Sequence, residues 1–152
     1  MRTACRTTAA ALALLTLTGC AAIAEHTERT REAMAERRAA EQLARDQARH
    51  EFERSMPTCT TEPECDAMWD AAQLWIVQNA GMKLQLATDV VLETYSPQNG
   101  NMRLGVRAVK QNRGELGSRI EVSVWCGNIF GCMTDTREAA LDFNRTVGAA
   151  GG

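Results

Sequence analysis

Histidine is almost missing from this chain. There are two, His26 and His50, and both fall in a long charged run, so the downstream domain has no histidine for a general base or a metal ligand. That excludes the commonest catalytic triads. No serine sits in a Gly-x-Ser-x-Gly elbow: Ser123 lies in an alternating strand pattern, and Ser96 and Ser118 lie in turn segments. Gly114, Gly117, Gly127 and Gly131 match neither nucleotide-binding spacing and read as turn residues. A basic stripe is also lacking, since 17 Lys+Arg stand against 19 dispersed Asp+Glu, and nucleic acid is not an expected partner. Asp66 and Asp70 lie four apart on a helical pattern, but Asp66 falls in the first turn, where the helix dipole favours an acid, and both read as solvated helix residues. No cofactor is expected.

What is present begins with an address. Arg2 and Arg6 precede an apolar run from Ala9 to Leu17, a charged-then-hydrophobic layout too short to cross a bilayer as a helix. It ends in Leu17-Thr18-Gly19-Cys20, which resembles the lipobox of bacterial lipoproteins. The resemblance implies that the chain is cut before Cys20, that Cys20 carries lipid, and that residues 1–19 are a signal peptide. Ala21 is not the Asp that, in enteric bacteria, retains lipoproteins at the inner membrane. In a host with two membranes the expected location is therefore the outer membrane, with the protein facing the periplasm.

Of six cysteines, Cys5 leaves with the signal and Cys20 takes the lipid. Cys59, Cys65, Cys126 and Cys132 remain, an even number in an exported chain, and read as two disulfides. Each pair is separated by five residues, wider than the usual spacing of a thiolate zinc site or of a redox pair. The favoured pairing is local, Cys59 with Cys65 and Cys126 with Cys132, each closing a short ring that contributes roughly 2.4 kcal/mol in the chain-entropy model. The competing bridge joins Cys65 to Cys126, closing a longer loop that contributes roughly 4.3 kcal/mol.

From about Ala24 to Arg54 there is neither Gly nor Pro, and Ala, Glu and Arg dominate, so the propensities predict a helix. Glu25 with Arg29 and Glu41 with Arg45 have the favoured acid-first spacing of four. Large apolar residues are too few for a coiled-coil seam: Ile23, Met34, Leu43 and Phe52. Residues 20–56 thus read as a lipid anchor followed by a solvated helical spacer, whose helical part would reach roughly 45 Å at 1.5 Å per residue. Pairing of this helix with a partner is the alternative.

Met56-Pro57 ends the run and opens a domain at residues 57–148. Thr61 and Glu64 have capping-box spacing ahead of a helix whose buried face is Cys65, Met68, Trp69, Ala72, Ile76 and Asn79, with Trp75 on its border and Gly81 as the stop. From Met82 the hydrophobic period becomes 2. Three strands are predicted, with core positions Met82, Leu84, Leu86, Val90 and Leu92; then Met102, Leu104, Val106 and Ala108; then Ile120, Val122, Val124 and Cys126. Ala87-Thr88-Asp89 reads as a bulge or bend in the first strand. The segments 96–101 and 112–118 read as turns. A last helix begins near Asp135 and Glu138, buries Ala140, Phe143 and Val147, and frays from Gly148, leaving 149–152 as a disordered tail. The predicted fold class is α+β in two layers, a three-stranded antiparallel meander covered on one face by two helices.

A Cys-flanked helix with Trp69 and Trp75, then Thr88-Asp89, Glu93-Thr94-Tyr95, Trp125-Cys126-Gly127-Asn128 and Phe143-Asn144, resembles a group of small proteobacterial lipoproteins over about residues 59–147. The layout alone is similar to the helix-grip domains of BamC, a lipoprotein of the outer-membrane barrel assembly machinery. The expected function is a non-catalytic envelope module, tethered to the membrane and binding an envelope protein or a glycan. Its expected contact patch is the odd-numbered face of the meander, with Tyr95 opposite Arg103 and Gly105 beside Trp125, so that Arg103 and Arg107 on the middle strand are flanked by Tyr95 and Trp125. Filling the space over Gly105 is the purely structural role open to Trp125. The alternative function is a histidine-independent enzyme that uses Glu93 and Glu121 on cell-wall glycan.

Overall fold

The computed structural model describes residues 7–152, with side chains from His26 onward. Arg2 and Arg6 lie outside the described residues, as do the side chains of Leu17–Cys20. The chain divides into two compact units, Met1–Arg49 and His50–Gly152. Helix α1, Thr7–Ser55, supplies the first unit and, from His50, the opening of the second. Every described side chain from His26 to Gln47 is exposed, Met34 and Leu43 included, as expected of a helix without an apolar stripe. Glu41 and Arg45 pair at 3.9 Å. Among the described residues, no helix is long and apolar enough to cross a membrane.

The second unit is α+β. Its order is β1 (Thr58–Cys59), α2 (Glu62–Asn79), β2 (Leu84–Ala87), β3 (Val91–Thr94), β4 (Gly105–Asn112), β5 (Ser118–Trp125) and α3 (Thr136–Ala149). All strand pairs are antiparallel, in the spatial order β1-β5-β4-β3-β2. The sheet therefore has five strands where the sequence predicts three. One addition is the two-residue edge strand β1. The other arises because the long first strand is a hairpin.

That hairpin turns at Thr88 without a glycine. Thr88 N–H donates to Val91 O at 2.9 Å, while the Thr88 hydroxyl accepts from Val91 N at 2.9 Å and from Val90 N at 3.3 Å, doing what a backbone carbonyl does in an ordinary turn. The Thr88 carbonyl is free to accept from Trp69 Nε1 at 3.0 Å. Helix α2 thereby fixes the turn. The register slips between Leu84 and Leu86, so that Leu86 pairs with Glu93 and moves to the opposite face from Leu92. Leu86 and Val90 are exposed rather than core residues, and so is Met102, which precedes β4.

Elsewhere the even-numbered face is the core. Leu92, Leu104, Val106, Ala108, Ile120 and Val122 are buried against Met68, Trp69, Ala72, Trp75 and Ile76 of α2 and Ala139, Ala140, Phe143 and Val147 of α3. Trp75 is inside, not at the border. Its ring meets Phe143 edge-on at 5.3 Å, and its indole N–H donates to Asp142 Oδ2 at 2.8 Å. Asn79 is exposed, its amide turned back onto the Trp75 carbonyl.

Both helix starts are capped as their sequences suggest. Glu64 Oε2 accepts from Thr60 N at 2.7 Å and from Thr61 N at 3.4 Å, and the first of these is the main cause holding the Glu64 carboxyl below its ordinary range. A lowered carboxyl stabilises the fold at pH above its unfolded value and ceases to do so as pH falls through the lowered one. Asp135 Oδ1 accepts from Arg137 N at 2.9 Å and Glu138 N at 3.0 Å. Asp135→Ala is expected to cost about 1 kcal/mol, measured as a lower urea midpoint with unchanged slope. Helix α3 runs on through Ala149, past the Gly148 at which fraying is expected.

The disulfides are the local pair, Cys59–Cys65 and Cys126–Cys132, with Cα separations of 5.2 and 5.7 Å. The first ties β1 to the opening turn of α2; the second closes a loop after β5. All four sulfurs are consumed, and the long bridge from Cys65 to Cys126 is not formed.

Candidate functional site

Both helices cover the even face, which leaves the odd face of the sheet to carry whatever the second unit presents there. Its rows follow from the register: Val91, Val109 and Glu121 stand side by side, then Glu93, Arg107 and Ser123, then Gly105 and Trp125. The β3–β4 register differs by two residues from the expected one. The predicted opposition of Tyr95 and Arg103 is replaced by that of Glu93 and Arg107. A two-residue slip leaves each side chain on its predicted face and changes only its neighbour.

The neighbour matters chemically. Arg107 Nε lies 3.6 Å from Glu93 Oε2, with the arginine side chain 52% and the glutamate 31% exposed. An ion pair this open to water contributes little to stability, so it is available for exchange with an incoming polar group. Trp125 occupies the next row, over Gly105. A Cβ at Gly105 would fall 2.8 Å from Trp125 Cε2 and 2.6 Å from Pro97 Cδ, so Gly105 is the floor on which the indole and the proline close. Trp125 is nonetheless only part-buried. Tyr95, just past the end of β3, is half exposed, and Leu86 adds an exposed apolar side chain beside Glu93.

Arg103 does not join this group. It lies before β4, its backbone N–H held by Asn101 Oδ1 at 2.9 Å and its side chain beside Gly81, 3.4 Å from where a Cβ there would sit. The structure thus brings together Arg107, Glu93 and Trp125, keeps Tyr95 at the strand end, and separates Arg103. Glu93 as the partner of Arg107 could not be seen without the register. That register is set by the 95–104 connection between β3 and β4.

Glu93 and Glu121 are on β3 and β5, two strands and two residues apart in register, so their backbones are about 12 Å apart across the sheet. Glu93 faces Arg107, and Glu121 Oε2 accepts from Gln111 Nε2 at 2.8 Å. On a flat face each carboxylate is engaged by its own neighbour rather than by the other.

A concave feature lies between the helices, a cleft of about 170 Å³ lined by Trp75, Asn79, Leu104, Glu138, Asp142 and Arg145. Its central acid, Asp142, already accepts from Trp75 and from Arg145 at 3.4 Å. The open face can do more: offer a guanidinium and a carboxylate to hydroxyls or anions, with the Trp125 ring in the adjoining row for stacking. No match to this chain is found among protein-family models, curated proteins or solved structures.

Proposed function

We infer that this chain is a non-catalytic lipoprotein of the cell envelope, held by lipid on Cys20 at the outer membrane and presenting a binding face to the periplasm for a glycan-like or acidic partner. The observation that supports the binding role is the open sheet face, where the exposed Arg107–Glu93 pair adjoins the row of the part-buried Trp125 and half-exposed Tyr95 lies just past the end of β3. Residues of these types concentrate binding energy where they meet a partner. The address rests on Leu17-Thr18-Gly19-Cys20 and the charged, then apolar, segment ahead of it.

The test uses the tethered protein in crosslinked cells. Tyr95→Ala with Arg107→Ala is expected to lower partner capture about tenfold, as loss of a binding hot spot does. The thermal midpoint should stay within a few degrees, because both side chains are exposed. Trp125 is left in place, since removing it would uncover Gly105. Unchanged capture by the double variant would sink the face. Separately, Cys20→Ala should abolish fatty-acid labelling, and continued labelling would sink the anchor.

A further inference from the structure

The ring closed by Cys126–Cys132 displays its largest side chains to water. Ile129 and Phe130 are 91% and 92% exposed, and Met133, directly after the ring, is 74% exposed. Exposure on this scale is costly in water and is rare for three large apolar residues within five positions. Nor is the loop slack. Gly127 N–H donates to Asn101 O at 2.9 Å, Gly100 N–H to Gly127 O at 2.7 Å, and Met133 N–H to Met102 O at 2.9 Å, so the ring is fastened at its base to the 98–102 segment. At the tip, Asn128 Oδ1 accepts from Phe130 N at 2.8 Å, satisfying a donor that water would otherwise have to serve.

We propose that this disulfide-closed finger contacts a phospholipid surface, seating Ile129 and Phe130 in the interfacial layer with Met133 and Met102 beside them. Three features favour lipid over a protein pocket. From Cys126 to Thr134 there is no charged side chain, in a chain whose residues are 24% charged. Three side chains of this size offer on the order of 500 Å², well short of the roughly 800 Å² per partner of a stable protein pair, whereas a bilayer demands no matching shape. The exposed cation next along the chain from Met102 is Arg103, which lies off the sheet face with its stem beside Gly81, a charge available to a lipid phosphate. The finger uses neither lipid on Cys20 nor any residue of the open sheet face, so it stands or falls apart from the proposed function.

The test mixes the isotopically labelled full chain with nanodiscs of phosphatidylethanolamine and phosphatidylglycerol carrying a nitroxide-labelled phospholipid, and reads amide broadening residue by residue. Leu116 is the internal control, 66% exposed but in the β4–β5 turn, at the opposite end of an eight-residue strand, roughly 25 Å away. The amides of Ile129, Phe130 and Met133 should broaden about tenfold more than that of Leu116. In Ile129→Ser with Phe130→Ser, the excess should fall by about tenfold or more, as expected from losing two buried apolar side chains. Ile129→Val with Phe130→Leu should retain it. An unchanged amide pattern in the sheet confirms that the serine variant is folded. A finger built for a protein pocket would broaden no more than Leu116; that result, or equal broadening in the serine variant, overturns the proposal.

Discussion

Replacing Gly117 with alanine is expected to lower the stability of the second unit by about 3 kcal/mol or more, one of the largest effects of any single methyl group in this protein. Gly117 closes the β4–β5 turn with φ 78° and ψ −144°, a conformation that only glycine adopts without strain. A Cβ there would also fall 2.0 Å from the Cys59 carbonyl oxygen and 3.0 Å from Thr60 Cα. Both obstacles are backbone. They have little room to retreat, because Cys59 is paired to Ser118 in the sheet and bridged to Cys65 in α2. For a unit of this size the thermal midpoint should fall by about 12 °C or more. Gly114 supplies the comparison. It too has positive φ, 64°, but open space around its missing Cβ, so Gly114→Ala should cost only the left-handed penalty of about 1–2 kcal/mol. Equal losses at the two positions would mean that the contact with Cys59 is unimportant and backbone conformation alone sets the cost.

That comparison also marks how far the sequence could be read. Gly114 and Gly117 are recognisable as turn residues, and the period-2 pattern assigns Val106, Ala108, Ile120 and Val122 to the core, because alternation and turn chemistry are local properties. Cys59–Cys65 and Cys126–Cys132 are legible for the same reason, as close neighbours with a turn between. The Thr88 hairpin is not. It carries none of the Gly or Asn signals of a two-residue turn, and the contact that holds it, Trp69 Nε1 on the Thr88 carbonyl, comes from nineteen residues earlier. The exposure of Leu86 follows from that hairpin, whereas the Glu93–Arg107 pair and the displacement of Arg103 follow from the register that the 95–104 connection sets. Trp75 likewise reads as a border residue from the periodicity of α2 alone, since the residues that bury it, Asp142 and Phe143, come from the far end of the chain. In the candidate site, residue types and the shared face were legible from alternation, whereas the pairings were a property of tertiary structure.

The tertiary contact around Trp75 carries the second large expectation. Phe143→Ala should destabilise the unit by about 3–5 kcal/mol, a large part of the ~5–15 kcal/mol that holds a domain of ordinary stability together. Phe143 is fully buried, and α3 brings it between the sheet and α2. Removing the ring leaves a cavity lined by parts of both helices, and it also removes the edge of the T-shaped pair on which the Trp75 indole rests. Trp75 then keeps its hydrogen bond to Asp142 but loses the packing that fixes its plane, so the near-ultraviolet circular dichroism of the native state should weaken along with the urea midpoint. Phe143→Leu retains most of the volume and forfeits the ring pair, worth about 0.5–1.5 kcal/mol, so it should fall well short of the alanine effect. The same truncation at Phe130, which is 92% exposed, should change stability by no more than about 0.5 kcal/mol. If Phe130→Ala destabilised the unit as much as Phe143→Ala, the finger would be packed in solution and Phe143 would not be the joint between α3 and the rest of the core. The separation between these two phenylalanines in one urea titration series therefore tests both the core and the exposed loop.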